Sequence, residues 1–127
     1  MKLLSDEWLA FVSEQAAALP RSEGASLVMQ HVVSGSPSGK VQCWVELRDG
    51  ELVDLAVGKR ADATCTITWT YEDALAALRG ADLDVAFMRG RLKLDGDYRS
   101  FMYDLRPVFA SPEGQALLAA VRSVTED

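Results

Sequence analysis

Apolar and polar positions along the chain follow two periods, and the switches between them mark out the elements. Trp8, Val12, Ala16 and Leu19 recur at helical spacing behind Ser5, Asp6 and Glu7. Ser5 is an N-cap residue, the two carboxylates sit at the positive end of the dipole, and Leu4 can staple onto Leu9. Pro20 stops this helix. Ala25 to Val33 reads as a strand, and Gly35-Ser36-Pro37-Ser38-Gly39 as the turn that follows it. Val41, Cys43, Val45 and Leu47 alternate with Gln42, Trp44 and Glu46, so this strand has one wholly apolar face. Asp49-Gly50 is a type I′ hairpin signal, and Val53, Leu55 and Val57 lie on the returning strand. From Ala63 to Thr70, Ala63, Cys65, Ile67 and Trp69 alternate with four threonines.

Thr70 then caps a short helix with Asp73 at N3; Ala74, Leu75 and Leu78 are its apolar side, and Gly80 ends it. A second short helix spans Asp84 to Met88. Arg91-Leu92-Lys93-Leu94-Asp95 alternates as the last strand, bracketed by Gly90 and Gly96 at positions that call for positive φ. Asp97 caps a helix that places Tyr98, Phe101, Met102 and Leu105 on one face and is limited by Pro107. Ser111-Pro112-Glu113 opens a final helix with Leu117, Leu118, Val121 and Val124 inward. This order predicts a single α+β domain over 1–127, with one mainly antiparallel sheet covered on one face by helices.

Composition narrows the function. The 127 residues are 49% apolar, enough for one core without disulfides or a metal. A net charge of −6 argues against sequence-independent nucleic-acid binding, which draws on cationic side chains. Cys43 and Cys65 are not spaced as C-x-x-C and alternate into apolar strand faces, as small buried hydrophobes. No apolar run approaches the ~18 residues of a membrane span. Asp6 and Glu7 interrupt Leu3-Leu4, which argues against a signal peptide and for a cytoplasmic protein.

Catalytic patterns are scarce. His31 is the single histidine, lies mid-strand and reads as a strand-face residue with a hydrogen-bond partner. Asp95-Gly96-Asp97 opens like a calcium loop, but Ser100 and Arg106 occupy the positions that need Gly and Glu. Asp82, Asp84, Asp95 and Asp97 read as a solvated acidic rim in the absence of a phosphate-binding loop or a companion histidine. What is left is a concentration of Phe, Met and Leu in the C-terminal third. On spacing alone these side chains either fill the core or enclose a pocket, since Met and Phe repack around varied shapes.

A longer motif bears on that choice. Asp62-Ala63-Thr64-Cys65-Thr66-Ile67-Thr68-Trp69-Thr70-Tyr71-Glu72-Asp73 is followed by Leu75, Leu78 and Gly80, and then by Ala86-Phe87-Met88-Arg89-Gly90-Arg91-Leu92-Lys93-Leu94-Asp95-Gly96-Asp97. This resembles the sterol carrier protein 2 (SCP2) family of sterol- and lipid-binding domains. The resemblance implies a five-stranded sheet with helices on one face and, between them, an apolar tunnel that shelters an acyl chain or a sterol. It further implies carriage without chemistry: no catalysis, no cofactor and no metal. Wall residues carried over from the motif are Trp69, Leu75, Leu78, Phe87, Met88 and Leu92; Phe101, Met102, Leu105, Phe109, Leu117 and Leu118 join them from periodicity alone. Tyr103, Asp104, Arg106 and Pro107 depart from the family pattern and point to a smaller pocket or a more polar mouth. The chain ends in Thr125-Glu126-Asp127, without a peroxisomal Ser-Lys-Leu-type address, as in a bacterial cytoplasmic carrier. The expected partner is a hydrophobic small molecule, a fatty acid, acyl chain or sterol-like lipid, with at most transient membrane contact and a homodimer compatible with the fold. The alternative is an accessory or oligomerisation module with the same fold, a filled core and a partner-binding surface on the Trp44 side of the sheet. A small enzyme, with carboxylates or His31 converging in a cleft, stands third.

Overall fold

Short polar side chains start the helices where the sequence places them. In the computed structural model, which describes residues 1–126, Ser5 Oγ accepts the Trp8 amide at 3.2 Å at the head of α1 (Asp6–Ala16). Thr70 Oγ1 accepts the Asp73 amide at 3.1 Å ahead of α2 (Tyr71–Leu78). Ser111 Oγ accepts the Gly114 amide at 3.0 Å ahead of α5 (Pro112–Val124), with Pro112 at its first position. Each such cap contributes about 1 kcal/mol. The last residue of the terminal Thr125-Glu126-Asp127 lies outside the described residues.

The strands are β1 (Leu27–Ser36), β2 (Gly39–Arg48), β3 (Glu51–Val57), β4 (Cys65–Thr70) and β5 (Leu92–Gly96). Asp49 and Gly50 both have positive φ, 49° and 82°, as a type I′ turn requires. In space the order is β3-β2-β1-β4-β5. Three pairings are antiparallel, but β1 and β4 at the centre run parallel, so the mainly antiparallel sheet is a mixed one. A parallel neighbour needs a crossover, and residues 58–64 supply it by crossing the sheet face opposite the helices. Gln30, only 6% exposed, donates to the Gly58 carbonyl at 2.9 Å and accepts the Arg60 amide at 2.8 Å. Arg60 lies 4.6 Å from the Trp44 ring centroid and pairs with Glu46 and Asp62. The Trp44 side of the sheet is therefore partly covered by the chain itself.

The other face carries the core. Leu27, Met29, Leu47, Cys65, Ile67 and Leu92 pack against Phe101, Met102, Leu105 and Val108. A second cluster gathers Leu3, Val33, Tyr71, Ala74 and Leu75 beneath α2, and a third joins Ala16 of α1 to Leu117 and Val121 of α5. Both cysteines are buried, and desolvation pushes their thiols up, Cys43 to about 12 and Cys65 to about 11. They are inert small hydrophobes, as their alternation predicts.

One segment differs from its expected form. Asp97 does cap the turn that follows, accepting the Ser100 amide at 3.3 Å and its hydroxyl at 2.7 Å. Ser100–Asp104 then forms a π-helical turn, with the Leu105 amide on the Ser100 carbonyl at 3.2 Å, instead of a regular helix. A π turn inserts one residue per turn, and the proline ring at 107 would clash with the carbonyl four residues back in a continuous α-helix. Phe101, Met102 and Leu105 remain buried, whereas Tyr98 is 49% exposed and leaves the face assigned to it. The chain resumes as α4 (Arg106–Ala110). A six-residue helix α3 (Leu83–Met88), which buries none of its residues, precedes β5.

Candidate ligand cleft

The π-helical turn, Leu105 and α4 turn four apolar side chains toward an open space. Phe101, Met102, Leu105 and Phe109 face Leu83 of α3 across a cleft of about 410 Å³, closed further on by Ala110 and Gln115. Ligand sites fall in a range of about 300–1,000 Å³ and are mostly apolar with a few placed polar groups. Here the polar lining residues are Asp82, Asp84, Arg106 and Gln115, and the first three are tied to one another or to α3. Asp82 accepts the amides of Asp84 and Val85, at 2.8 and 3.2 Å, and so caps α3. Arg106 pairs with Asp84 and thereby ties α4 to α3.

A second, smaller cavity of about 150 Å³ lies on the other side of α3, between Trp69, Val85, Ala86 and the small residues Ala76, Ala77 and Ala81. The short helix is thus a partition with space on both flanks. Trp69 Nε1 is buried and has no hydrogen-bond partner among the described residues. An unpaired buried donor costs about 1–3 kcal/mol, so a ligand or water that accepts from it would be favoured.

His31 lies on the same face of the sheet. It stacks on Trp69 with ring centroids 5.9 Å apart and meets Phe101 edge-on at 6.5 Å. Among the described residues it makes these ring contacts in place of the hydrogen bond expected for it. Burial among apolar groups pushes its pKa down from 6.5 to about 4, so the imidazole is neutral at physiological pH. Between those two values the unfolded chain binds a proton that the folded chain does not. Stability should therefore rise from pH 4 to pH 6.5 and level off above, with a slope approaching about 1.4 kcal/mol per pH unit. The difference in urea midpoint between wild type and His31→Phe isolates this contribution; a difference that stays flat with pH would remove His31 as its source.

Comparison with known proteins identifies the lineage. The model of the SCP-2 sterol transfer family matches residues 7–103. The chain belongs to this family. No curated protein sequence matches it, but solved SCP-2 structures share its fold. A possible sterol carrier protein from Thermus thermophilus is 21% identical, with a TM-score of 0.61, covering 100% of this chain and 92% of the other. The palmitated SCP2-like 2 protein of Aedes aegypti is 20% identical, with a TM-score of 0.60, covering 95% of each chain. A sec-alkylsulfatase double mutant is 25% identical, with a TM-score of 0.61, over 80% of this chain. The chain spans only 16% of that larger enzyme.

Against this SCP-2 frame, the wall residues read from sequence separate into groups. Phe101, Met102, Leu105 and Phe109 converge on the large cleft and Trp69 lines the small cavity. Leu92 is core behind them, and Leu75 belongs to the cluster under α2, with Leu78 packed between that cluster and the third. Leu117 packs toward α1, with Leu118 half-buried beside it. Phe87 and Met88 point to solvent, at 43% and 83% exposed. Helix α3 is too short for a complete apolar stripe, so its spacing could not show which side faces inward. Sequence reasoning missed Leu83 and Ala110 as walls, and it missed the pairing of Arg106 with Asp84. Their separation of 22 residues leaves no local signal. Among the described residues no group of three or more His, Cys, Asp or Glu is placed to hold a metal, and no helix is long and apolar enough to cross a membrane.

Proposed function

We infer that this SCP-2 domain binds a hydrophobic ligand, a fatty acid, acyl chain or sterol-like lipid, and carries it without altering it. The observation that carries this reading is the apolar cleft walled by Phe101, Met102, Leu105, Phe109 and Leu83, open on one side and continuous with the core. Burying apolar area is worth roughly 25 cal/mol per Å², so such a ligand is held by contact area and needs few polar groups. The palmitated Aedes relative has the same fold, which is in keeping with this reading. Carriage takes place in the cytoplasm, with brief membrane visits; the net charge of −6 supports this, because anionic membrane surfaces repel it.

Native mass spectrometry and lipid extraction of protein purified without detergent test the reading. A co-purifying lipid, and micromolar binding of a fluorescent fatty acid to the stripped protein, are the expected results. A protein that carries no lipid and binds no such probe would refute it. A second reading, an accessory module whose core is filled, draws support from the likeness to one part of a much larger alkylsulfatase. It predicts a stable complex with a partner chain or a second copy, and no ligand.

A further inference from the structure

The mouth of the cleft carries one cation, and its partner is easily exchanged. Arg106 Nη2 donates to both oxygens of Asp84, at 2.5 and 2.6 Å, and Nε donates to the Met102 carbonyl at 2.7 Å. The guanidinium also lies 5.3 Å from the Tyr103 ring centroid. These contacts fix a half-exposed guanidinium in the lining of the cleft, alongside its apolar walls. Asp82, the other carboxylate there, is committed to the α3 amides. The Arg106 and Asp84 side chains are 53% and 45% exposed, and an ion pair so open to water contributes only about 0–1 kcal/mol. Replacing Asp84 by another carboxylate therefore costs little. A neutral head group offers no such exchange and would leave Arg106 paired with Asp84.

We propose that Arg106 anchors the head group of a single-chain amphiphile bearing a carboxylate, whose chain lies along Phe101, Met102, Leu105 and Phe109, and that Asp84 is the internal carboxylate it displaces. The proposal rests on the reading of the cleft as a ligand site and adds to it the charge of the ligand. Arginine suits the task because its planar fork matches a carboxylate with two parallel charge-assisted hydrogen bonds. Asp84 has two opposing effects on an incoming anion: it occupies the cation and it repels the ligand. Removing its charge should therefore strengthen binding.

The test compares cis-parinaric acid with its methyl ester, which share a chain and differ in charge, by fluorescence titration at neutral pH. Wild type should bind the acid more tightly than the ester. Arg106→Gln should weaken the acid by about three- to fivefold, within the roughly 1 kcal/mol that so exposed a pair contributes, and the ester by less than about twofold. Asp84→Asn should tighten acid binding by roughly threefold. Equal losses for acid and ester in Arg106→Gln, or no loss for either, would overturn the anchor and leave the cleft standing as a lipid site. A wild type that binds neither probe would overturn the cleft and the anchor together. If Arg106→Gln does not give a cooperative thermal transition, Asp84→Asn decides alone: unchanged or weaker acid binding would sink the proposal.

Discussion

Met102→Trp is expected to weaken binding of cis-parinaric acid and of its methyl ester alike, by about thirtyfold. Met102 is 6% exposed and belongs both to the cleft wall and to the main core. It shares a core cluster with Ile67 and Leu92, at 0% and 2% exposed, so the cleft is the open side available to an indole at this position. Excluding two or three ligand methylenes at about 0.8 kcal/mol each removes about 2 kcal/mol of binding. The loss is one of volume, which is why it should spare neither probe, in contrast to a substitution at the rim. Thermal unfolding supplies the second reading of the same variant. A residue entering open space should barely move the midpoint, whereas overpacking a filled core costs about 1–3 kcal/mol. A destabilised protein with unchanged affinity would show that the ligand lies elsewhere.

Gly96→Ala should cost about 3 kcal/mol, or roughly 12 °C in the unfolding midpoint. Gly96 closes β5 with φ at +86°, and a Cβ there would stand 2.4 Å from the Thr64 carbonyl oxygen. That oxygen accepts the Asp97 amide at 2.8 Å, and Asp97 in turn caps the turn carrying Phe101 and Met102. The injury should thus pass from the sheet edge to the cleft. Gly90→Ala is the control. Its φ of +71° is equally left-handed, but nothing lies within 4 Å of the added carbon, so it should lose only the conformational part, about 1 kcal/mol. Equal losses at the two positions, measured by thermal or urea unfolding, would show that the contact with Thr64 carries no weight.

Much of this architecture is written in short-range pattern. The alternation from Ala63 to Thr70, the Asp49-Gly50 hairpin and the caps at Ser5, Thr70 and Ser111 each depend on neighbours within a few residues, and each appears as read. The parallel pairing of β1 with β4 does not, because two apolar strand faces pair equally well in several orders until the crossover is in place. The cleft lay further out of reach. Phe101, Met102, Leu105 and Phe109 have the same spacing whether they fill a core or wall a space. The difference arises from the π-helical turn before Pro107 and from α3 standing away from α4. On α3, Phe87 and Met88 looked inward by motif and are outward in space, since six residues and a single polar tie leave the face undetermined. The resemblance to SCP2 supplied what periodicity could not, a reason to expect hollowness at all.

The parallel pair at the centre of the sheet also bears on the order of assembly. β1, β2 and β3 follow one another through two tight turns and can zip locally, whereas β4 must find β1 across some 36 residues of intervening chain, the separation between Val28 and Thr64. Contacts that distant set the pace of folding, because loop closure must precede the contacts that reward it. Every element that walls the cleft follows β4 in the chain. A nascent molecule should therefore pass through a stage with a formed meander and no binding site. Cargo can then act only late: it adds little to the speed of folding, and it holds the finished domain shut by slowing its unfolding.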